Sequence, residues 1–213
     1  MKRPGFLWGA HYASIDKGAH KASTDGIAGR TKDAAVPTGD RYIMMFAAED
    51  CITFAHSAPR ALHGTLPEPD KKMLALRINE RMNVMMEATR VEGKAMKNFK
   101  EGMIAAPCIN LGSFNYPTDG EEEMMGWYAQ RRMHAMSLME GCVRTRKMCS
   151  VAGWAKHAIV YEFEAQEACK KYFFTREDLN PEQQPWSDKV VKRVMHAPGS
   201  SNLAIRLFPP VPQ

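Results

Sequence analysis

The stretch GEEEMMGWYAQRRMHAMSLMEGCVRTRKMCSVAGWAKHAIVYEFE, residues Gly120–Glu164, decides the fold. Its three leading acids, Glu121–Glu123, follow the turn Pro117–Gly120 and suit the positive end of a helix dipole. The helix they open carries Trp127-Tyr128 and runs to about Met139, where Glu140-Gly141 supplies a natural stop. Cys142–Cys149 and His157–Phe163 then read as two strands of a hairpin turning at Ala152-Gly153. Outward from this segment, Ala106–Asn115 is a preceding strand and Ala165–Phe173 a following helix. Asn180–Ser187 is a Pro-rich loop, Lys189–Met195 a short helix and Asn202–Phe208 a last strand.

The order β-α-β-β-α-β is that of a ferredoxin-like split βαβ unit. A weaker form of the pattern recurs near the start of the chain. With Gly26 set on Gly141, Ile43–Phe46 falls on Ala158–Tyr161 without a gap, and Glu49 falls on Glu164. Leu74–Ile78 echoes Leu203–Leu207. Self-similarity of this kind proposes two related units. The expectation is therefore an α+β chain of two tandem ferredoxin-like units forming an α/β barrel, the first unit degenerate. The first would occupy residues 1–100 and end in a long linker helix; the second would occupy 101–213. Within the first, Phe6–Ala13 and Arg41–Ala48 read as strands, with a weak strand near Ile27–Ala35. Cys51–Ser57 reads as a short helix and Ala61–Asp70 as an exposed connection. Residues 80–98 read as helix; for 73–78 length favours helix, while the echo of Leu203–Leu207 favours strand.

Composition narrows the function. A chain of 213 residues with 45% hydrophobic residues can build a packed core. The net charge of +5 comes from basic residues scattered among 24 acids, with no basic stripe to suit a nucleic acid. Five cysteines with no C-x-x-C pair predict a reducing, cytoplasmic setting without disulfides. No stretch approaches the about 18 apolar residues of a membrane span. Sixteen methionines suit a soft core, a subunit interface or an adaptable apolar wall. Phosphate-loop, dinucleotide, nucleophile-elbow and zinc-site patterns are all missing, so the expected chemistry uses no cofactor and no metal.

The second unit resembles the EthD-like branch of the dimeric α/β-barrel superfamily. The residues that carry the resemblance are the strand Ile109–Phe114, the helix with Trp127-Tyr128, Glu140-Gly141, the basic strand Arg144-Thr145-Arg146 and the ending Tyr161-Glu162-Phe163. The family's functional His falls at the position held here by Arg132, and the nearest His is His134. The resemblance implies a pocket for a small, often aromatic molecule, and chemistries that include cofactor-free monooxygenases, polyketide cyclases, lyases and isomerases.

Trp127, Arg131, His134 and Leu138 follow 4-3-4 spacing and would share one face of an α-helix. Arg131 or Arg132 is a candidate for binding a carboxylate or phenolate, and His134, His11 or Tyr161 for moving a proton. Trp127 and Tyr128 would form aromatic walls, and Asn110, polar amid apolar neighbours, would contact the ligand. His157 shares a strand face with Tyr161, while Glu162 points the other way, toward a structural pairing with Arg144 or Arg146. The expected function is a cofactor-independent lyase, by decarboxylation or related C–C cleavage, acting on a small hydrophobic aromatic acid in aromatic-compound catabolism. A homodimer is expected, because open sheets leave edges and apolar faces to cover. The alternatives are a cofactor-free monooxygenase or polyketide-cyclase-like enzyme, and a non-catalytic ligand-binding or assembly protein.

Overall fold

The computed structural model describes residues 4–15, 29–56, 59–99, 105–174 and 184–211. From Cys108 onward the elements follow in β-α-β-β-α-β order: β5 (Cys108–Asn115), a helical layer, β6 (Cys142–Gly153), β7 (His157–Phe163), a second helical layer and β9 (Asn202–Phe208). The four strands lie side by side as β9-β5-β7-β6, each antiparallel to its neighbours. This is the split βαβ arrangement expected for the second unit. Gly141 ends the first helical layer with φ 75°, where a β-carbon would come within 2.7 Å of the Ala168 β-carbon. Glycine is therefore required both by conformation and by space.

The rest of the chain extends this sheet at both edges. β1 (Phe6–Ser14) pairs with β9, and β3 (Tyr42–Ala48) pairs with β1. At the opposite edge β4 (Asn83–Glu92) pairs with β6. One sheet thus runs β3-β1-β9-β5-β7-β6-β4, with the two-residue strands β2 (Gly29–Arg30) and β8 (Met195–His196) attached beside β5. It is curled. Strands β1 and β6 stand four positions apart, about 19 Å in a flat sheet. Yet the Arg146 guanidinium lies only 5.7 Å from the Trp8 ring centroid. The concave face therefore closes on itself as a half-barrel, filled by Ala10, Tyr12, Ile109, Val160 and Ala204. The helices cover the other face, where Met124, Trp127, Met133, Tyr161 and Phe163 form the larger core.

Several sequence expectations are corrected here. Residues 80–98 form no helix: β4 occupies 83–92 and a short 3-10 turn occupies 94–98. The free edge of β6 offers a ladder from Arg144 to Gly153, and that pairing overrides the helical spacing of the methionines. The same pairing lengthens β6 beyond the expected end at Cys149. Residues 73–78 are not a strand; they are the end of a helix, Glu68–Ala75, and the coil after it, so the echo with Leu203–Leu207 joins unlike elements. The expected loop Ala61–Asp70 holds the end of one helix, Pro59–Gly64, and the start of that next one. Lys189–Met195 is preceded by helix rather than loop, since a helix spans Gln184–Val191. Gly26, which anchored the alignment of the two halves, lies outside the described residues. Among those residues no helix separates β1 from β3.

Candidate functional site

Period-2 alternation sorts the strand residues onto two faces. On the concave face Glu162 is fully buried between Arg144 and Arg146. Its carboxylate accepts from Arg144 Nε at 2.8 Å, from Arg144 Nη2 at 3.2 Å and from the Ala106 amide at 2.8 Å. Arg146 Nη2 stands 2.6 Å away, close enough for an ion pair but out of hydrogen-bond alignment. Burial alone would raise the Glu162 pKa, but Arg146, Arg144 and the Ala106 N–H together hold it below the ordinary value. The expected pairing with Arg144 or Arg146 thus involves both.

On the helix face one row crosses five strands: Leu203, Asn110, Tyr161, Thr145 and Val91. Asn110 Nδ2 and Thr145 Oγ1, on either side of Tyr161, are buried without a hydrogen-bond partner among the described residues. Above the row, α-helix Glu121–Trp127 passes through a π turn, Tyr128–Arg132, into α-helix Met133–Ser137. Met133 N–H bonds the Tyr128 carbonyl five residues back. A π turn takes up an extra residue and rotates everything after it. This explains the correction to the 4-3-4 face. His134 is exposed to solvent, and Arg132, the second of the two candidate arginines, turns onto the sheet. Arg132 Nε donates to the Tyr161 hydroxyl at 3.1 Å, and its guanidinium lies 5.2 Å from the Tyr161 ring centroid. Arg131 is itself buried.

Tyr128 hydrogen-bonds Tyr161, and its hydroxyl pKa is raised by burial first and then by Tyr161, against the pull of Arg132. Its ring stacks on Phe114 at 6.1 Å and meets Trp127 edge-on at 4.8 Å. Trp127 in turn donates to Ser187 Oγ at 3.1 Å. Tyr161, Arg132, Tyr128, Trp127 and Asn110 thus come together. His134 and His11 do not: His11 sits on β1, beside Tyr42, with ring centroids 5.4 Å apart. An open groove of about 720 Å³ flanks the far side of the same helix, lined by Asp119, Glu122, Glu123 and Trp186, and shares no residue with the row.

The sequence reading passed over Lys147, although its position was legible. With Arg144 and Arg146 facing Glu162, Thr145 and Lys147 must face Tyr161 and His157. Lys147 is wholly buried; Nζ donates to the Met148 carbonyl at 2.9 Å and meets His157 Nδ1 at 3.2 Å. His157 Nε2 lies 3.1 Å from Glu121 Oε1, and Lys156 Nζ lies 2.6 Å from Glu121 Oε2. Burial lowers the Lys147 pKa to about 8, with Cys149 and Glu121 opposing. Burial and then Lys147 lower that of His157, against Glu121. Among the described residues no cluster of three metal-ligating side chains occurs, and no helix is long and apolar enough to cross a membrane.

No family model and no curated protein matches the chain. Among solved structures it is similar to a candidate monooxygenase from Lactobacillus acidophilus NCFM. The two are 10% identical, the match covers 93% of this chain and 92% of that one, and the TM-score is 0.44. At that score the likeness carries neither family nor reaction, and the site is judged on its own geometry.

Proposed function

We propose that the protein is a cofactor-independent enzyme that binds a small aromatic acid between the π turn and the sheet and cleaves a carbon–carbon bond, by decarboxylation or a related lyase step. The observation that carries this reading is the row beneath Arg132, in which Tyr161 stands between two buried, unused polar atoms, Asn110 Nδ2 and Thr145 Oγ1. An unsatisfied buried polar atom costs about 1–3 kcal/mol, and a ligand oxygen would recover that cost. On this reading Arg132 orients the carboxylate, and Trp127, Tyr128 and Phe114 hold the ring. Asn110 donates to a ligand oxygen. When carbon dioxide leaves, the electron pair stays on carbon and takes the Tyr161 proton, and the guanidinium at 3.1 Å stabilises the phenolate. Solvent then returns a proton to Tyr161. The chain would then be an outlying relative of the EthD-like branch, with Arg132 at the family's His position.

Thermal-shift measurements on aromatic compounds, each with and without its carboxylate, test the reading. At 100 Kd a ligand adds about 2.7 kcal/mol of stability. Stabilisation by the carboxylated members alone, abolished in Arg132→Met, is the expected result. A panel that leaves the melting temperature unchanged would sink the proposal. Oxygen uptake tied to turnover would replace lyase chemistry with that of a monooxygenase.

A further inference from the structure

Lys147 differs from the two buried arginines of its own strand. Arg144 and Arg146 face Glu162, but no carboxylate lies within ion-pair distance of Lys147 among the described residues. Its ammonium is 5.5 Å from each of the Phe114 and Tyr128 ring centroids. Cation–π contact partly offsets desolvation but does not neutralise a charge. The one basic acceptor it meets, His157 Nδ1, belongs to a line that continues through Nε2 to Glu121 and the protein surface. With Nε2 facing a carboxylate, Nδ1 presents its lone pair to the lysine. A desolvated lysine beside a base with an outlet to solvent is the arrangement of an amine nucleophile. Tyr128, whose ring it touches, is hydrogen-bonded to Tyr161 in the same layer.

We infer that Lys147 is a nucleophilic amine and that the substrate is an aryl β-keto acid, whose ketone it converts to an iminium. The inference rests on the helix–sheet site proposed above. His157 Nδ1 takes a proton from the Lys147 ammonium, and the amine then forms a C–N bond at the ketone carbon. The carbinolamine loses its oxygen as water, with the proton returned by His157, leaving a cationic iminium. The bond to the carboxylate breaks, carbon dioxide departs, and the electron pair moves to nitrogen as a neutral enamine. The enamine carbon takes the Tyr161 proton, water hydrolyses the resulting iminium to ketone and the Lys147 ammonium, and solvent returns a proton to the Tyr161 phenolate.

The test is reductive trapping of the full chain with 4-carboxybenzaldehyde and sodium cyanoborohydride, followed by peptide mapping. The expected result is one adduct, on Lys147, formed at pH 8 about tenfold faster than on other lysines, whose ordinary pKa is about 10.4. The rate should titrate with a midpoint near 8. The titratable groups facing Nζ are His157, Glu121, Tyr128 and Cys149. Lys147→Met should lose the adduct; Lys147→Arg serves if Lys147→Met fails to fold, since it keeps a cation on the rings. Adducts spread over surface lysines with Lys147 unmodified would overturn the inference. Two companion results separate it from the site proposal. Binding of 4-methylbenzoate that depends on Arg132, with no adduct at Lys147, keeps the acid site and removes the amine. An adduct at Lys147 whose rate ignores Arg132→Met keeps the amine and removes the acid site.

Discussion

Glu162→Gln should be among the most damaging single substitutions in this fold, and its size follows from the contacts. The carboxylate is fully buried and neutralises two guanidinium groups that are themselves almost wholly inaccessible, Arg144 at 2% and Arg146 at 7% exposure. Glutamine keeps the shape and one acceptor oxygen but removes the charge. Breaking a buried pair in this way costs about 3–5 kcal/mol, because the buried cations lose their neutralising carboxylate where water does not replace it. For a domain of this size each kcal/mol shifts Tm by about 2–4 °C, so a fall of about 6–20 °C is expected. The pH dependence has a definite sign. The folded pKa of Glu162 lies below its ordinary value, so its stabilisation is present above the ordinary carboxylate range and is lost as pH falls through the folded value. Scanning calorimetry of both proteins from pH 7 down to pH 3 should show the gap between the curves narrowing in acid, as the unfolded wild-type carboxyl takes up a proton that the folded one resists. A Tm change of less than about 2 °C at pH 7, or a gap that stays constant with pH, would refute the reasoning. Adding Arg144→Met to Glu162→Gln should restore part of the loss, since it removes one of the two buried charges that Glu162 neutralises.

The other predictions address the helix face and the surface. Tyr161→Phe should lower turnover by about 10²-fold or more, as loss of a positioned proton donor does, with a stability change near 1 kcal/mol; pre-steady-state kinetics and urea melts read the two effects separately. His134→Ala, an exposed position, should change stability by less than about 0.5 kcal/mol and leave turnover intact; a tenfold loss of rate would return His134 to the site. Gly141→Ala should cost at least about 1–2 kcal/mol in a denaturant titration, because the backbone is left-handed there and Ala168 occupies the space. Light scattering should report a homodimer, the state suggested by the half-exposed Tyr42, Met44 and Phe46 on edge strand β3; Phe46→Lys should yield monomer, and a monomeric wild type would dispose of the idea.

What was legible in the sequence depended on how many constraints each segment carried. Gly120–Glu164 announces itself through acids at a helix start, a glycine in left-handed backbone and a near-continuous apolar run through His157–Phe163, a strand buried at every position. Strand β4 carries no such pattern. It is an edge strand with no buried residue, held by backbone pairing to β6, so its side chains are free to imitate a helix. Candidate residues on the sheet, Asn110 and Tyr161, could be read from alternation alone. Those on the helix were blurred by one local event, the π turn, after which His134 faces solvent while Arg132, one of the two candidate arginines, meets Tyr161. Nothing in the residue types of Tyr128–Arg132 marks that turn; it becomes visible only in the hydrogen bond from Met133 to Tyr128.

The two faces of the same strands divide the work of the molecule. Even positions of β6 and β7, namely Arg144, Arg146 and Glu162, bury opposite charges in contact with one another, and that face closes the half-barrel. Odd positions, namely Thr145, Lys147, His157 and Tyr161, bury polar groups that satisfy each other only in part. A fold can carry the second set because the first, together with the apolar core under Trp127 and Phe163, holds the strands in register. It follows that damage should separate by parity. Substitutions at the even positions should lower Tm and leave ligand affinity per folded molecule unchanged. Substitutions at the odd positions should remove binding or chemistry at small cost in stability, or even raise stability where a polar group is replaced by an apolar one of equal size. Thr145→Val is the most direct case: it removes a hydroxyl with no partner, so it should stabilise the fold while weakening the ligand. If Thr145→Val instead destabilises the fold, the hydroxyl is satisfied in solution by a group of the protein or a bound water, and the argument for a ligand at Tyr161 loses one of its two supports.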